Sequence, residues 1–387
     1  MLIARQLQLP KKNSFFLFGP RQVGKSTLIS ESFSKETALT YELLKTDEYV
    51  RLKSQPSLFR EEILGRKEKI THVVVDEIQK VPELLDEIHY LMEKPKPPCF
   101  VLSGSSARKL KRAHANLLAG RAWTLLLHPL THMELGESFD LKKCLEVGTL
   151  PKIYLEEERE NANHYLKSYV ETYLKEEIEA EALLRQSGPF LRFLFLSGSE
   201  SGNILNYSNM GRETGCAHTT VKEYYKILED TLIGFFLLPF HKSNRKRLSQ
   251  HPKFYFFDTG VQRALSRKLS LLVEPKTEEW GNLFEHWVIA ETMRLASYWK
   301  KDFSYSYFRT EQGAEVDLIV ETPAGKIVAI EIKSSSEPRN FSAGFAALKT
   351  LGVKSHNFCV SLAPRPRKAE NIEILPWQEY FQMLKNL

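Results

Sequence analysis

Cysteine is scarce in this chain and scattered. The four, Cys99, Cys144, Cys216 and Cys359, never form a CxxC pair, so neither a zinc site nor a disulfide framework is indicated; they read as reduced packing residues. No apolar run is long enough to span a bilayer, since the stretch from Thr231 to Leu238 is short and Pro239 ends it. The opening Met1-Leu2-Ile3-Ala4-Arg5 turns polar at once, which argues against a secretory leader and for a cytoplasmic location with no membrane partner. Internal repeats and low-complexity linkers are absent. Neither sign of charge dominates: 54 Lys and Arg against 48 Asp and Glu leave a formal +6, which barely favours a polyanionic partner. What remains is ordinary globular composition, and 387 residues exceed what one hydrophobic core organises, so two or three domains are expected.

The densest signal runs from Ser14 to Thr27, SFFLFGPRQVGKST, where an apolar strand enters GxxxxGKS and then a helix. Gly19 and Gly24 permit a tight loop whose N–H groups turn inward around phosphate, with Pro20, Arg21, Gln22 and Val23 supplying the backbone between them. Lys25 adds a cation for the β- and γ-oxygens, and Ser26 offers a hydroxyl to Mg²⁺. Thr27 follows in the helix, whose positive end faces the same charge. ATP with Mg²⁺ is the ligand this spacing predicts.

About fifty residues on, His72-Val73-Val74-Val75-Asp76-Glu77 reads as a buried parallel strand ending in two acids and resembles a Walker B segment. Asp76 would hold Mg²⁺ and Glu77 would polarise the attacking water. A further strand, Cys99 to Leu102, ends in Ser103-Gly104-Ser105-Ser106. One of these serines, Ser103 foremost, is a candidate sensor of the attacking water at the γ-phosphate; a helix-capping turn is the alternative. Beyond them lie the basic run Arg108, Lys109, Lys111, Arg112 and then Leu117-Leu118-Ala119-Gly120-Arg121. Arg121 and Arg112 are candidates for an arginine finger acting across a subunit boundary, with a plain surface arginine as the alternative.

These motifs together, with the later HPLTHMELG, resemble the AAA+ ATPases, in particular the prokaryotic archaeal-type branch in which the ATPase precedes a domain of unknown function. The resemblance implies a P-loop core with a parallel sheet and assembly into a homo-oligomer, a ring or partial ring.

Residues from about Leu150 to Gln186 look helical, with Glu156-Glu157-Glu158 as a solvated face. From Ile204 to Glu229 the pattern is a short helix, a turn at Thr214 to Ala217 and a second helix with Val221, Tyr225 and Leu228 inward. Two strands follow, Phe235 to Phe240 and Lys253 to Phe257, joined by a loop carrying Lys242, Arg245, Lys246 and Arg247. This is the layout of a winged helix. It would present Thr219, Lys222 and Lys226 to DNA, or else serve only to pack between neighbouring domains.

Toward the end, Glu285 falls on a helix, Asp317 on a strand and Glu331-Ile332-Lys333 on a second strand after the turn at Pro323-Ala324-Gly325. Period-two alternation sets Asp317, Glu331 and Lys333 at one edge of a hairpin. The arrangement resembles the PD-(D/E)xK nuclease core of restriction endonucleases. That resemblance implies Mg²⁺ ligands in Asp317, Glu331 and Glu285, with Lys333 helping to generate hydroxide.

The expected architecture is therefore α/β: an AAA+ P-loop ATPase over residues 1–150, a helical and winged helix-turn-helix region over 151–275, and a restriction-endonuclease-like α/β domain over 276–387. Two functional classes compete. One is an ATP-driven enzyme acting on duplex or branched DNA; the other is a nucleotide-controlled switch or scaffold whose nuclease-like domain is catalytically silent.

Overall fold

The computed structural model describes residues 3–34, 36–66, 70–105, 108, 110, 118–174, 187–241 and 251–387. Among these residues two sheets carry the architecture. The first contains β1 (Phe15–Phe18), β2 (Ala38–Glu42), β3 (His72–Asp76), β4 (Cys99–Gly104) and β5 (Trp123–Leu126). Their order is β2-β3-β4-β1-β5 and every pairing is parallel. The residues dictate this: Phe15 to Phe18 and Val73 to Val75 are buried without interruption, the signature of strands covered on both faces. Because the strands run the same way, the turns after β1, β3 and β4 gather at one edge. Helix Lys25–Ser32 starts there, with Leu28 and Ile29 buried beneath it.

Helices Pro151–Tyr154 and Arg159–Ser168 follow, and Ile153 and Leu166 share a core with Phe15 and Leu17 of β1. Three more, Ser187–Ser199, Tyr207–Thr214 and His218–Asp230, precede an antiparallel hairpin of β6 (Gly234–Pro239) and β7 (Lys253–Phe256). Local chemistry sets the helix ends. The Asn206 side chain accepts from the Asn209 N–H at 3.0 Å, and Gly215 takes the left-handed φ of 73° that closes the helix Tyr207–Thr214. Val221, Tyr225 and Leu228 face inward, as their spacing requires.

The second sheet has the order β12-β13-β11-β10-β9-β8-β6-β7. It adds β8 (Ser304–Arg309), β9 (Glu315–Glu321), β10 (Ile327–Lys333), β11 (Ser355–Ser361), β12 (Arg367–Ala369) and β13 (Ile372–Pro376). The hairpin is thus not a free-standing wing: β6 pairs in parallel with β8 through Leu238 with Ser306 and Pro239 with Tyr307. β6 thereby covers an edge that would otherwise be open with a partner from far along the chain. Helix Glu278–Tyr298 packs against one face, where Trp287 shares a core with Val328, Ile330 and Phe381. Helix Ala343–Thr350 lies with the opposite core of Ala329, Phe345 and Leu348.

The basic loop residues Lys242, Arg245, Lys246 and Arg247, and likewise Ser106, Lys109, Lys111 and Arg112, lie outside the described residues. No helix among the described residues is long and apolar enough to cross a membrane.

Candidate functional site

The turn after β1 has the form its glycines predict. A Cβ on Gly19 would stand 2.2 Å from the Leu127 carbonyl oxygen, and Gly24 adopts a φ of 95°. Both positions therefore exclude a side chain for steric reasons. Lys25 is buried, and its Nζ donates to the carbonyls of Gly19 at 2.8 Å and Pro20 at 3.0 Å. The ammonium is thereby folded into the loop itself. A cavity of about 440 Å³ opens over Ser26, Thr27 and Asp76, with Thr40 and Glu42 on its far side.

Beside the loop the ends of β3 and β4 interlock with the start of the helix Lys25–Ser32. Ser26 Oγ donates to Asp76 Oδ2 at 3.1 Å, Ser103 Oγ donates to Asp76 Oδ1, and the Glu77 N–H donates to Ser103 Oγ at 3.3 Å. The pairing of β3 with β4 and of β4 with β1 brings these side chains to one edge. Glu77 is buried and left-handed at φ 62°, an uncommon conformation for a non-glycine residue. Burial pushes its carboxyl above the ordinary glutamate range, while the positive charges of Lys25 and Arg21 pull the other way. Gln79, which sequence reasoning passed over, donates to Glu77 Oε2 and at 3.3 Å to Ser105 Oγ. Its place two residues beyond Glu77 is the signal that was available.

Arg121 is not brought to this pocket within the chain. It precedes β5, whose Trp123 pairs with Phe15 at the start of β1, whereas the loop leaves from the other end at Phe18. There it forms an exposed ion pair with Glu93 at 2.7 Å.

A second cavity, of about 400 Å³, gathers Glu285, Asp317, Glu331 and Lys333. The hairpin of β9 and β10 accounts for this, since alternate residues of each strand share a face. Asp317 Oδ2 accepts from the Ile332 N–H at 2.7 Å, and Lys333 Nζ lies 2.7 Å from Glu331 Oε1. Glu331 is 7% exposed, yet its other oxygen, Oε2, is buried with no hydrogen-bond partner. Burial, together with the nearby carboxylates Glu285 and Glu331, drives Asp317 well above the ordinary aspartate range. Burial raises Glu331 as well, against the opposing pull of Lys333.

Two residues that the sequence did not assign to the site, Lys253 and Glu315, complete this pocket. Lys253, on β7, lies 2.6 Å from Glu315 and 3.4 Å from Glu285, and Tyr255 donates to Glu285 at 2.6 Å. Glu315 was legible as the alternate-residue neighbour of Asp317; Lys253 was not, because it comes from another part of the chain. No three His, Cys, Asp or Glu side chains among the described residues stand close enough to share one ion. Glu285, Asp317 and Glu331 therefore line one cavity without forming a finished cage. The donor set still suits a hard divalent cation, since it is made of carboxylate oxygens and one of them is buried and unpartnered.

Comparison with known proteins divides the chain in three. Residues 11–136 match the AAA domain, while residues 138–271 and 280–380 match two domains of unknown function, DUF8612 and DUF4143. The first match supports an AAA-type, nucleotide-binding ATPase domain in the N-terminal segment. Among full-length relatives, Uncharacterized protein Rv2008c of Mycobacterium tuberculosis is 27% identical across 83% of this chain and 70% of its own length. Uncharacterized protein Mb2031c of Mycobacterium bovis gives the same values. Uncharacterized protein MJ1637 of Methanocaldococcus jannaschii is 23% identical across 99% of this chain and 87% of its own.

Proposed function

We propose that this chain is an ATPase that acts on duplex or branched DNA, coupling ATP binding and hydrolysis to DNA binding and to Mg²⁺-dependent phosphodiester cleavage. The observation that carries the ATPase part is the chain of hydrogen bonds Ser26–Asp76–Ser103 beneath the phosphate loop. On this reading Lys25 exchanges the loop carbonyls for the β- and γ-oxygens of ATP, and Ser26 and Asp76 hold Mg²⁺. An ion held there would supply charge to offset that developing on the phosphate. Glu77 accepts the proton of the attacking water, and Ser103 orients the γ-phosphate. Arg121 or Arg112 serves a neighbouring subunit of a homo-oligomer.

The DNA part is supported by three helices followed by a hairpin, with Thr219, Lys222 and Lys226 exposed on the helix His218–Asp230. Cleavage is supported by the meeting of Asp317, Glu331 and Lys333 in one cavity. There Asp317, Glu331 and Glu285 would close around Mg²⁺ on binding, and Lys333 would favour formation of hydroxide from water. DNA-stimulated ATP hydrolysis is the direct test, followed by nicking assays on linear, nicked and four-way junction DNA with and without ATP and metal. Duplex that neither binds at low salt nor raises turnover would remove the DNA part.

A second reading, a nucleotide-controlled switch or scaffold with a silent nuclease-like domain, is favoured by one feature. Lys253 and Lys333 already pair with the pocket carboxylates. ATP-dependent assembly with no response to DNA would select it.

A further inference from the structure

The pocket of Asp317 and Glu331 is not made by the C-terminal hairpin alone. Its wall includes Ser201 to Ile204 and Lys253, and a backbone bridge joins Ile204 to Lys253, so the helical region supplies one side. Lys253 is the first residue of β7 and only 5% exposed. A lone buried ammonium is costly, and this one is neutralised by Glu315 at 2.6 Å and Glu285 at 3.4 Å. Tyr255 donates to the same oxygen of Glu285 that Lys253 approaches. Glu315 is held from its other oxygen by Arg309 at 3.2 Å. The carboxylates that Lys253 occupies thus have fixed positions, while Glu331 Oε2, in the same cavity, is buried without a partner.

We propose that Lys253 is a resident counter-ion of this pocket: its ammonium holds Glu285 and Glu315 in place and yields those oxygens to a divalent cation that binds beside Asp317 and Glu331. The inference rests on the reading of this pocket as a cation site and goes beyond it in naming the group that the cation displaces. It also makes the site composite, since Lys253 comes from β7 and Glu315 from β9. The physical basis is direct competition: the ammonium and a divalent cation repel one another and seek the same lone pairs, in surroundings where charge is poorly screened.

The test uses the full chain without nucleotide or DNA and follows free Mn²⁺ by electron paramagnetic resonance. Asp317→Asn and Glu331→Gln identify the site, each removing one class of bound Mn²⁺. Lys253→Met should tighten that class by about tenfold, whereas Lys253→Arg should leave it near the wild-type value. Unchanged or weaker binding in a folded Lys253→Met protein would overturn the proposal while leaving the cation site intact. Mn²⁺ binding indifferent to Asp317→Asn and Glu331→Gln would instead remove the cation-site reading itself. If Lys253→Met does not fold, Lys253→Met/Glu315→Gln keeps the charge balance. Competition requires this double variant to bind more tightly than Glu315→Gln alone, and equal or weaker binding overturns it.

Discussion

Ser103 and Asp76 meet across adjoining strands: the Ser103 hydroxyl donates to one oxygen of the Asp76 carboxylate while Ser26 donates to the other at 3.1 Å. One aspartate thus joins the helix after the phosphate loop to the end of β4.

Replacement of Lys25 by Ala should weaken binding of a fluorescent ATP analogue by roughly 10- to 100-fold, the equivalent of losing charge-assisted hydrogen bonds of about 1.5–3 kcal/mol, and hydrolysis should vanish with it. Undiminished binding and turnover would contradict the role given to this loop.

Glu77→Gln should slow hydrolysis by about 10²- to 10⁴-fold while nucleotide binding persists. Burial raises the Glu77 carboxyl, and only its ionised form accepts a proton. Turnover in the wild type should therefore fall on acidification at a pH above the ordinary glutamate range, in a rate profile measured at saturating ATP.

Gly19→Ala inserts a methyl group 2.2 Å from the Leu127 carbonyl oxygen, so either the loop or the start of the segment after β5 must shift. A loss of about 1–3 kcal/mol is expected in denaturant melts, together with weakened ATP binding. A variant as stable as wild type would mean that the loop and the Leu127 carbonyl separate freely.

Acid should destabilise the fold through two buried histidines. Burial lowers His128 to about 3, with Arg294 and Arg5 adding to the effect, and lowers His286 to about 4. An unfolded histidine titrates near about 6.5, so below that pH the unfolded chain gains protons that the folded one refuses. Stability should fall as pH drops from about 6.5, by up to about 1.4 kcal/mol per unit for each histidine. Melting temperatures between pH 7 and 5 should show a shallower decline in His128→Asn or His286→Gln than in wild type, and parallel curves would refute this assignment.

Metal-dependent nicking, if purified protein shows it, should disappear in both Asp317→Ala and Lys333→Ala. Activity surviving either change would belong to another site or to a contaminant.

What could be read without the structure was local. The phosphate loop depends on contiguous residues from Gly19 to Thr27, and the strand ending in Asp76 and Glu77 on an unbroken run of valines. Period-two alternation likewise set Glu331 and Lys333 on one face of a strand before any coordinates were needed. The helix pair around Gly215 follows from caps and spacing of the same short range.

Contacts between distant parts of the chain had no such trace. Arg5 donates to Val23 O at 2.7 Å, to His128 O at 2.6 Å and to Tyr298 at 3.2 Å, and pairs with Glu134 at 2.9 Å. One side chain thereby ties the phosphate loop to the helix Glu278–Tyr298, although nothing near Arg5 in the sequence marks it. Lys253 and the pairing of β6 with β8 belong to the same class. Sequence alone determined which segments become strands, helices and a glycine-bounded turn, because backbone geometry and short-range patterning act over a few residues. Tertiary structure alone decided which strand edges join and which charges neutralise one another, because open backbone edges and buried ions are satisfied by whatever partners packing brings near, however far apart along the chain.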